Sequence, residues 1–155
     1  MSYEVTVLET DWKVSVEHDA ILAKIKDEFV KKLAQEEIER ESDILGRIST
    51  DRTFVGHVDV KALVSKNSLE DALGLTCFAL DERGYIYAED ILTWDSEFAV
   101  LFVAMAPFVE KGSYVKFQGE DGARWEYVVE ENEDGEIVLN EYDYYYERGD
   151  AKTLR

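Results

Sequence analysis

The sequence predicts an α+β fold: an antiparallel sheet with a long N-terminal amphipathic helix, a buried helix near residues 96–108 and a C-terminal three-stranded meander. Apolar residues recur every three or four positions within residues 19–48, except over the polar segment 36–43, where the helix either breaks or projects. Other segments alternate apolar and polar residues between turn-forming ones. The first spacing is typical of helices and the second of strands. A chain of 155 residues, 46% of them hydrophobic, suits one α+β domain over residues 1–155.

The N-terminal third predicts strands on either side of one long helix. Alternation indicates strands at residues 3–8, 12–16 and 53–60. Between them, the helix at 19–48 begins at a cap, either His18 or Asp19, and carries an apolar stripe. That stripe consists of Leu22, Ile25, Phe29 and Leu33.

The central third predicts a short helix, a hairpin and a buried helix. Ser68 is a helix cap with an acid three residues on, and Gly74 ends that helix. Residues 75–80 and 85–88 flank a turn-forming segment, which indicates a hairpin. The helix at 98–106 is apolar nearly all round, so we expect it to be buried.

The last third predicts a meander with strands at 113–118, 123–130 and 137–147, followed by a frayed tail at 148–155. An alternative organisation is a helical module at residues 1–64, a separate α+β module at 65–147 and the tail.

Negative charge is concentrated in the meander. The chain has 35 acids, 17 Lys+Arg and a formal net charge of -18, and residues 120–147 contain eleven acids with Arg124 as their one base. Nucleic acid and anionic lipid both require net positive contact surface, so we expect the chain to bind neither directly.

The sequence favours a reducing compartment. Cys77 is the single cysteine and excludes an internal disulfide. Residues 1–10 lack the basic start of a signal peptide, and no apolar run approaches the ~20 residues of a membrane span. We therefore expect a cytoplasmic location.

Segments within residues 68–139 resemble a family of small acidic proteins of bacteria, phages and mobile elements. The resemblance lies in Leu69-Glu70-Asp71-Ala72-Leu73, in Asp81-Glu82-Arg83-Gly84-Tyr85-Ile86, and above all in residues 106–125, which include Gly119-Glu120-Asp121-Gly122 and Trp125. It implies an α+β module without assigned chemistry. It also implies a bacterial host cell and a mobile-element setting, in which small acidic proteins are often inhibitors or antitoxin-like partners.

Residues 130–141 match an EF-hand loop at several ligand positions, with Gly135 at the turn. The preceding residues 125–129 are aromatic and β-branched, which favours a strand over an entering helix. We therefore interpret the segment as an acidic hairpin turn and expect no metal or cofactor.

Catalytic patterns are sparse, so we expect no enzyme activity. His18 and His57 have no partner at metal-ligand spacing. His57 and Asp59 would share a strand face, which is weak support for acid–base chemistry. Cys77 lies in an apolar run and is interpreted as a buried, inert thiol.

Acids and tyrosines of the meander are the candidate partner-binding residues. Residues two apart on a strand point the same way, so Glu126 with Glu130, and Glu141 with Asp143, form rows that together with the turn acids imitate the charge repeat of a polyanion. Tyrosine is enriched in protein interfaces. The candidates are Glu126, Glu130, Glu131, Glu133, Asp134, Glu136, Glu141, Tyr142, Asp143, Tyr144 and Tyr146.

These features predict an acidic inhibitor that blocks the nucleic-acid site of a basic protein, such as a nuclease or a CRISPR or restriction-type effector, in phage or mobile-element anti-defence. The alternatives are an immunity protein or antitoxin of a toxin nuclease, and a structural or regulatory module whose acidic face confers solubility. Either the helix at 19–48 or the meander is the main contact.

Overall fold

The computed structural model describes residues 2–44, 53–144 and 148–155, with the backbone alone for residues 39–44. Within this part of the chain it is a mixed α+β fold, as the sequence predicts. The four helices are α1 (His18–Ile44), α2 (Val60–Val64), α3 (Leu69–Gly74) and α4 (Glu97–Met105), the last continuing into a 3-10 turn at Ala106–Phe108. None of the described helices is both long enough and apolar enough to cross a bilayer.

The largest sheet has six strands in the order β10-β9-β8-β7-β1-β6, and every neighbouring pair is antiparallel. Two further two-stranded sheets pair β2 with β3 and β4 with β5. The strands are β1 (Glu4–Asp11), β2 (Phe54–Val55), β3 (Val58–Asp59), β4 (Phe78–Leu80), β5 (Ile86–Ala88), β6 (Leu92–Thr93), β7 (Tyr114–Gly119), β8 (Arg124–Glu131), β9 (Ile137–Tyr144) and β10 (Lys152–Leu154).

Helix α4 packs on one face of the six-stranded sheet. Phe102 is fully buried, and its ring meets Trp12, Phe117 and Tyr127 edge-on at centroid distances of 5.0, 6.1 and 5.6 Å. Such T-shaped arrangements are a favoured geometry for aromatic pairs. The apolar run of α4 is therefore buried as expected, and it gives the sheet one covered face and one polar face.

Two predicted strands are wrong in extent. Residues 12–16 form no strand; Lys13 makes only an isolated bridge to Tyr85. Residues 53–60 form the tight hairpin β2–β3 instead of one strand, because Gly56 turns the chain at φ +57°. Glycine adopts this left-handed conformation without the steric penalty of a Cβ.

The tail does not fray as expected. Residues 152–154 form β10 and pair with β9, and Leu154 packs against the core opposite Leu139. Residues 152–154 contain only one apolar side chain, so this strand forms by pairing with the edge of β9. The hairpin β4–β5, the cap of α3 by the Ser68 hydroxyl and the meander β7–β8–β9 are confirmed.

Candidate protein-binding surface

The hairpin of β8 and β9 presents the candidate acids. Their register runs from Arg124 opposite Tyr144 to Glu131 opposite Ile137. The connecting residues 131–136, called the acidic turn below, are organised by Asn132. Its side-chain oxygen accepts hydrogen bonds from the backbone N–H groups of Asp134 and Glu136 at 3.0 and 2.9 Å.

The acids of the acidic turn project into solvent. Glu133, Asp134 and Glu136 are exposed, and in the described part of the chain none of them has a cation within ion-pair distance. Glu131 is also exposed and pairs with the Lys111 ammonium at 3.1 Å. The turn thus carries three negative charges that the described residues leave uncompensated.

Glu126 lies on the polar face of the sheet, opposite the face that α4 covers. It is only 4% exposed although it carries a carboxylate. Its Oε1 accepts hydrogen bonds from the Tyr144 hydroxyl at 2.7 Å and from Arg148 Nε at 3.0 Å. A buried carboxylate requires such partners, because burying an unpaired charge is costly.

Glu130 lies on the same polar face and is also engaged. It accepts hydrogen bonds from Asn140 Nδ2 at 2.9 Å and from the Tyr142 hydroxyl. Both bonds join β9 to β8, and the second raises the pKa of Tyr142. Glu126 and Glu130 therefore form a row as expected, but both carboxylates already accept hydrogen bonds from other residues of the protein.

Cations on the polar face balance much of its remaining charge. The Lys116 ammonium lies 3.3 Å from a Glu9 carboxylate oxygen, and Glu9 also accepts the Tyr114 hydroxyl at 3.0 Å. Arg124 and Lys116 follow the same alternation as Glu126, so both lie on this face. The polar face is consequently rich in tyrosine, and its cations offset part of its negative charge.

Glu141 and Asp143 lie on the opposite face of the sheet. Glu141 stands opposite Tyr127, a core residue, whereas the polar-face residue Tyr142 stands opposite Glu126. Burial, reinforced by the neighbouring Asp143, raises the pKa of Glu141. The two predicted acidic rows thus do not form one surface. Tyr146 lies outside the described residues.

The hairpin also separates the ends of the EF-hand match. Residues 130–141 form the two strands and the acidic turn in place of a helix–loop–helix, and Glu130 and Glu141 point to opposite faces of the sheet. Calcium ligands must converge on one cation, and this geometry does not bring the two together.

His57 has a partner that sequence spacing did not indicate. The expected pair with Asp59 does not form: Asp59 caps α2 by accepting from the Lys61 N–H, while His57 Nδ1 lies 3.3 Å from Glu97 Oε1. Asp95 brings a third polar side chain within 4.8 Å of these two. Forty residues separate His57 from Glu97, so only the tertiary fold reveals the contact.

The carboxylate of Glu97 is held by the β2–β3 hairpin and by the start of α4. It is 2% exposed, accepts the His57 backbone N–H at 3.3 Å, and burial raises its pKa. The N-terminus of a helix carries partial positive charge, which favours an anion at this position. These contacts join the β2–β3 hairpin to the start of α4.

Cys77 is exposed, which corrects the expectation of a buried thiol. It lies between α3 and β4 at φ +65°, so the chain turns there instead of continuing a buried strand. Partial burial and the nearby acids Asp90, Glu89 and Glu97 raise the pKa of its thiol. A raised pKa keeps the group protonated and a poor nucleophile near neutral pH.

In the comparisons with known proteins, the chain matches no family model, no curated protein and no solved structure.

Proposed function

We propose that this chain is a non-enzymatic acidic inhibitor that binds a basic, nucleic-acid-handling protein and blocks its nucleic-acid site. The observation that carries the proposal is the acidic turn, where Glu133, Asp134 and Glu136 are exposed and have no cation partner among the described residues. Uncompensated negative charge on a projecting turn accelerates encounter with a basic groove and favours it over other surfaces.

The contact surface centres on the acidic turn and extends onto the tyrosines of the polar face. Glu126 accepts hydrogen bonds from Tyr144 and Arg148, and Glu130 accepts them from Tyr142 and Asn140. These two acids therefore contribute mainly to the structure of the surface and less to its free negative charge. Tyr142 and Tyr144 are half-buried and present ring area at low entropic cost. The partner class is a nuclease or a CRISPR or restriction-type effector, met in phage or mobile-element anti-defence.

Affinity capture from a bacterial lysate at low and high salt tests the proposal. The immobilised wild-type protein is compared with the triple variant Glu133→Gln, Asp134→Asn, Glu136→Gln. We expect the wild type to retain a basic nucleic-acid-binding protein at low salt and to release it at high salt, and the triple variant to lose it. Salt acts because it screens exposed charges.

A scattered triple variant is the matched control. Glu17→Gln, Glu82→Gln and Glu89→Gln remove the same net charge from exposed positions elsewhere on the protein. Retention by the scattered variant together with loss by the turn variant locates binding at the acidic turn. Equal loss by both variants, or no basic protein retained by the wild type at low salt, contradicts the proposal.

A further inference from the structure

Arg148 occupies a defined guanidinium site on the polar face. Its Nε lies 3.0 Å from Glu126 Oε1, and its Cζ lies 3.5 Å from the centroid of the Tyr142 ring. The Tyr144 hydroxyl donates to the same Glu126 oxygen at 2.7 Å. A carboxylate combined with a stacked aromatic face is the arrangement that suits a planar guanidinium and that an ammonium matches less well.

We propose that this site, formed by Glu126, Tyr142 and Tyr144, recognises an arginine side chain of the basic partner, with Arg148 filling it until that arginine replaces it. This inference rests on the proposed function and names the side chain by which the partner is recognised.

The walls of the site are held independently of Arg148. The Tyr142 hydroxyl is fixed by Glu130, which Asn140 Nδ2 holds in turn at 2.9 Å. The backbones of Glu126 and Tyr142 face each other across the β8–β9 ladder. A site that keeps its shape when emptied loses little free energy on binding a new occupant.

Arg148 can leave the site without unfolding the tail. The backbone of Arg148 itself is bridged to Tyr144, and the N–H of the next residue, Gly149, donates to the Asp143 carbonyl at 2.8 Å. The Arg148 side chain is 44% exposed. Exchange therefore requires rotation of the Arg148 side chain, and the incoming arginine again places a cation beside Glu126, which is 4% exposed.

The chemistry of the partner supplies the replacement. Proteins that bind nucleic acid place arginines at phosphates, where a guanidinium makes paired hydrogen bonds. An arginine held in the site formed by Glu126, Tyr142 and Tyr144 would be removed from its phosphate. Long-range attraction by the acidic turn and local recognition of arginine would then act on the same partner.

Peptide binding measured by amide NMR shifts tests the proposal. The probes are acetyl-Gly-Gly-Arg-Gly-Gly-amide and the same peptide with lysine. We expect Arg148→Ala to bind the arginine peptide on the order of tenfold more tightly than the wild type, with shifts in β8 and β9. We expect the lysine peptide to bind more weakly. Arg155→Ala, which removes the other tail arginine, should bind like the wild type.

A second pair of variants tests the contribution of the Tyr142 ring face. In the Arg148→Ala background, Tyr142→Phe retains the ring face, whereas Tyr142→Leu removes it. The first should keep most of the peptide affinity and the second should lose it. Equal binding by both, equal binding of the two peptides, or concentration-dependent dimerisation of Arg148→Ala without peptide overturns the proposal, the last because a second copy would then supply the arginine.

The failures of the two proposals are distinguishable. Arginine-peptide binding by Arg148→Ala, without capture of a basic protein by the wild type, removes the inhibitor function and leaves the arginine site. Capture that depends on the acidic turn, without any arginine-peptide binding, removes the arginine site and leaves the inhibitor function.

Discussion

At the scale of single residues, the protein compensates its buried charges with specific partners. Glu97 accepts a hydrogen bond from the His57 backbone N–H and lies 3.3 Å from its ring Nδ1, and Glu126 accepts hydrogen bonds from the Tyr144 hydroxyl and Arg148 Nε. Both carboxylates are almost fully buried. Among the described residues, Glu133, Asp134 and Glu136 of the acidic turn have no cation partner, which is why we assign the long-range attraction of a basic partner to the turn.

Gly56 is essential because the Glu97 carboxylate approaches it directly. A Cβ at this position would lie 1.8 Å from Glu97 Oε2, and the residue has φ +57°. We expect Gly56→Ala to lower the free energy of unfolding by about 1–3 kcal/mol, measured by urea unfolding.

Gly122→Ala separates the two causes of that loss. Gly122 also has a positive φ, +88°, but a Cβ there would meet nothing within 4 Å. Backbone strain alone would make the two variants equally unstable, whereas the close approach to Glu97 requires a larger loss at Gly56.

Glu141 makes the stability of the protein depend on pH. Burial raises its pKa in the folded state, so the folded protein holds this proton more strongly than the unfolded chain does. The stabilising contribution of the protonated form is complete below the unfolded pKa and is lost as pH rises through the folded pKa.

Glu141→Gln should therefore stabilise the protein near neutral pH, and the difference from wild type should shrink as the pH falls below the ordinary range of a glutamate pKa. Thermal unfolding over a series of pH values measures this difference. A stability difference that does not change with pH contradicts the assignment.

At the scale of elements, the sheet is completed by the tail strand β10. Leu154 packs against the core where β10 joins β9. We expect Leu154→Ala to lower the free energy of unfolding by about 1–2 kcal/mol, because the substitution removes apolar contact between β10 and the core.

The matched substitution is Leu8→Ala, at a residue that is 47% exposed beside the irregularity in β1. We expect Leu8→Ala to change the free energy of unfolding by less than about 0.5 kcal/mol. Equal effects of the two substitutions in urea unfolding would show that β10 does not contribute to the folded state.

Local patterns were enough to predict most of the elements. The stripe Leu22, Ile25, Phe29 and Leu33 predicted α1, and alternation with turn residues predicted the meander, because both signals lie within one element. The tail strand was missed because its single apolar residue, Leu154, gains its partner only when β9 is already in place.

The polar contacts of the candidate surface were beyond the sequence for a similar reason. Alternation correctly placed Glu126 and Glu130 on one face and Glu141 with Asp143 on one face. It gave no sign that the two rows lie on opposite sides, since that depends on the register in which β8 pairs with β9. The ion pair of Glu126 with Arg148 depends on the antiparallel bridge that places Arg148 beside Tyr144 at the end of β9.

At the scale of the whole molecule, the net charge of -18 is distributed unevenly. On the polar face of the sheet, Lys116 and Arg148 pair with Glu9 and Glu126. The acidic turn, by contrast, retains uncompensated charge. A projecting, structured turn that keeps its charge is suited to a basic groove, and the neighbouring tyrosines add contact area that depends little on salt.

Competition for the captured partner is the measurement that tests the inhibitor function most directly. A labelled nucleic-acid ligand of that partner is titrated with this protein, and complexes are resolved by electrophoretic mobility shift. We predict stoichiometric release of the nucleic acid, with no species that contains all three components, and we expect the turn triple variant to release none. A stable ternary complex would contradict the account, because the two ligands would then occupy different sites on the partner.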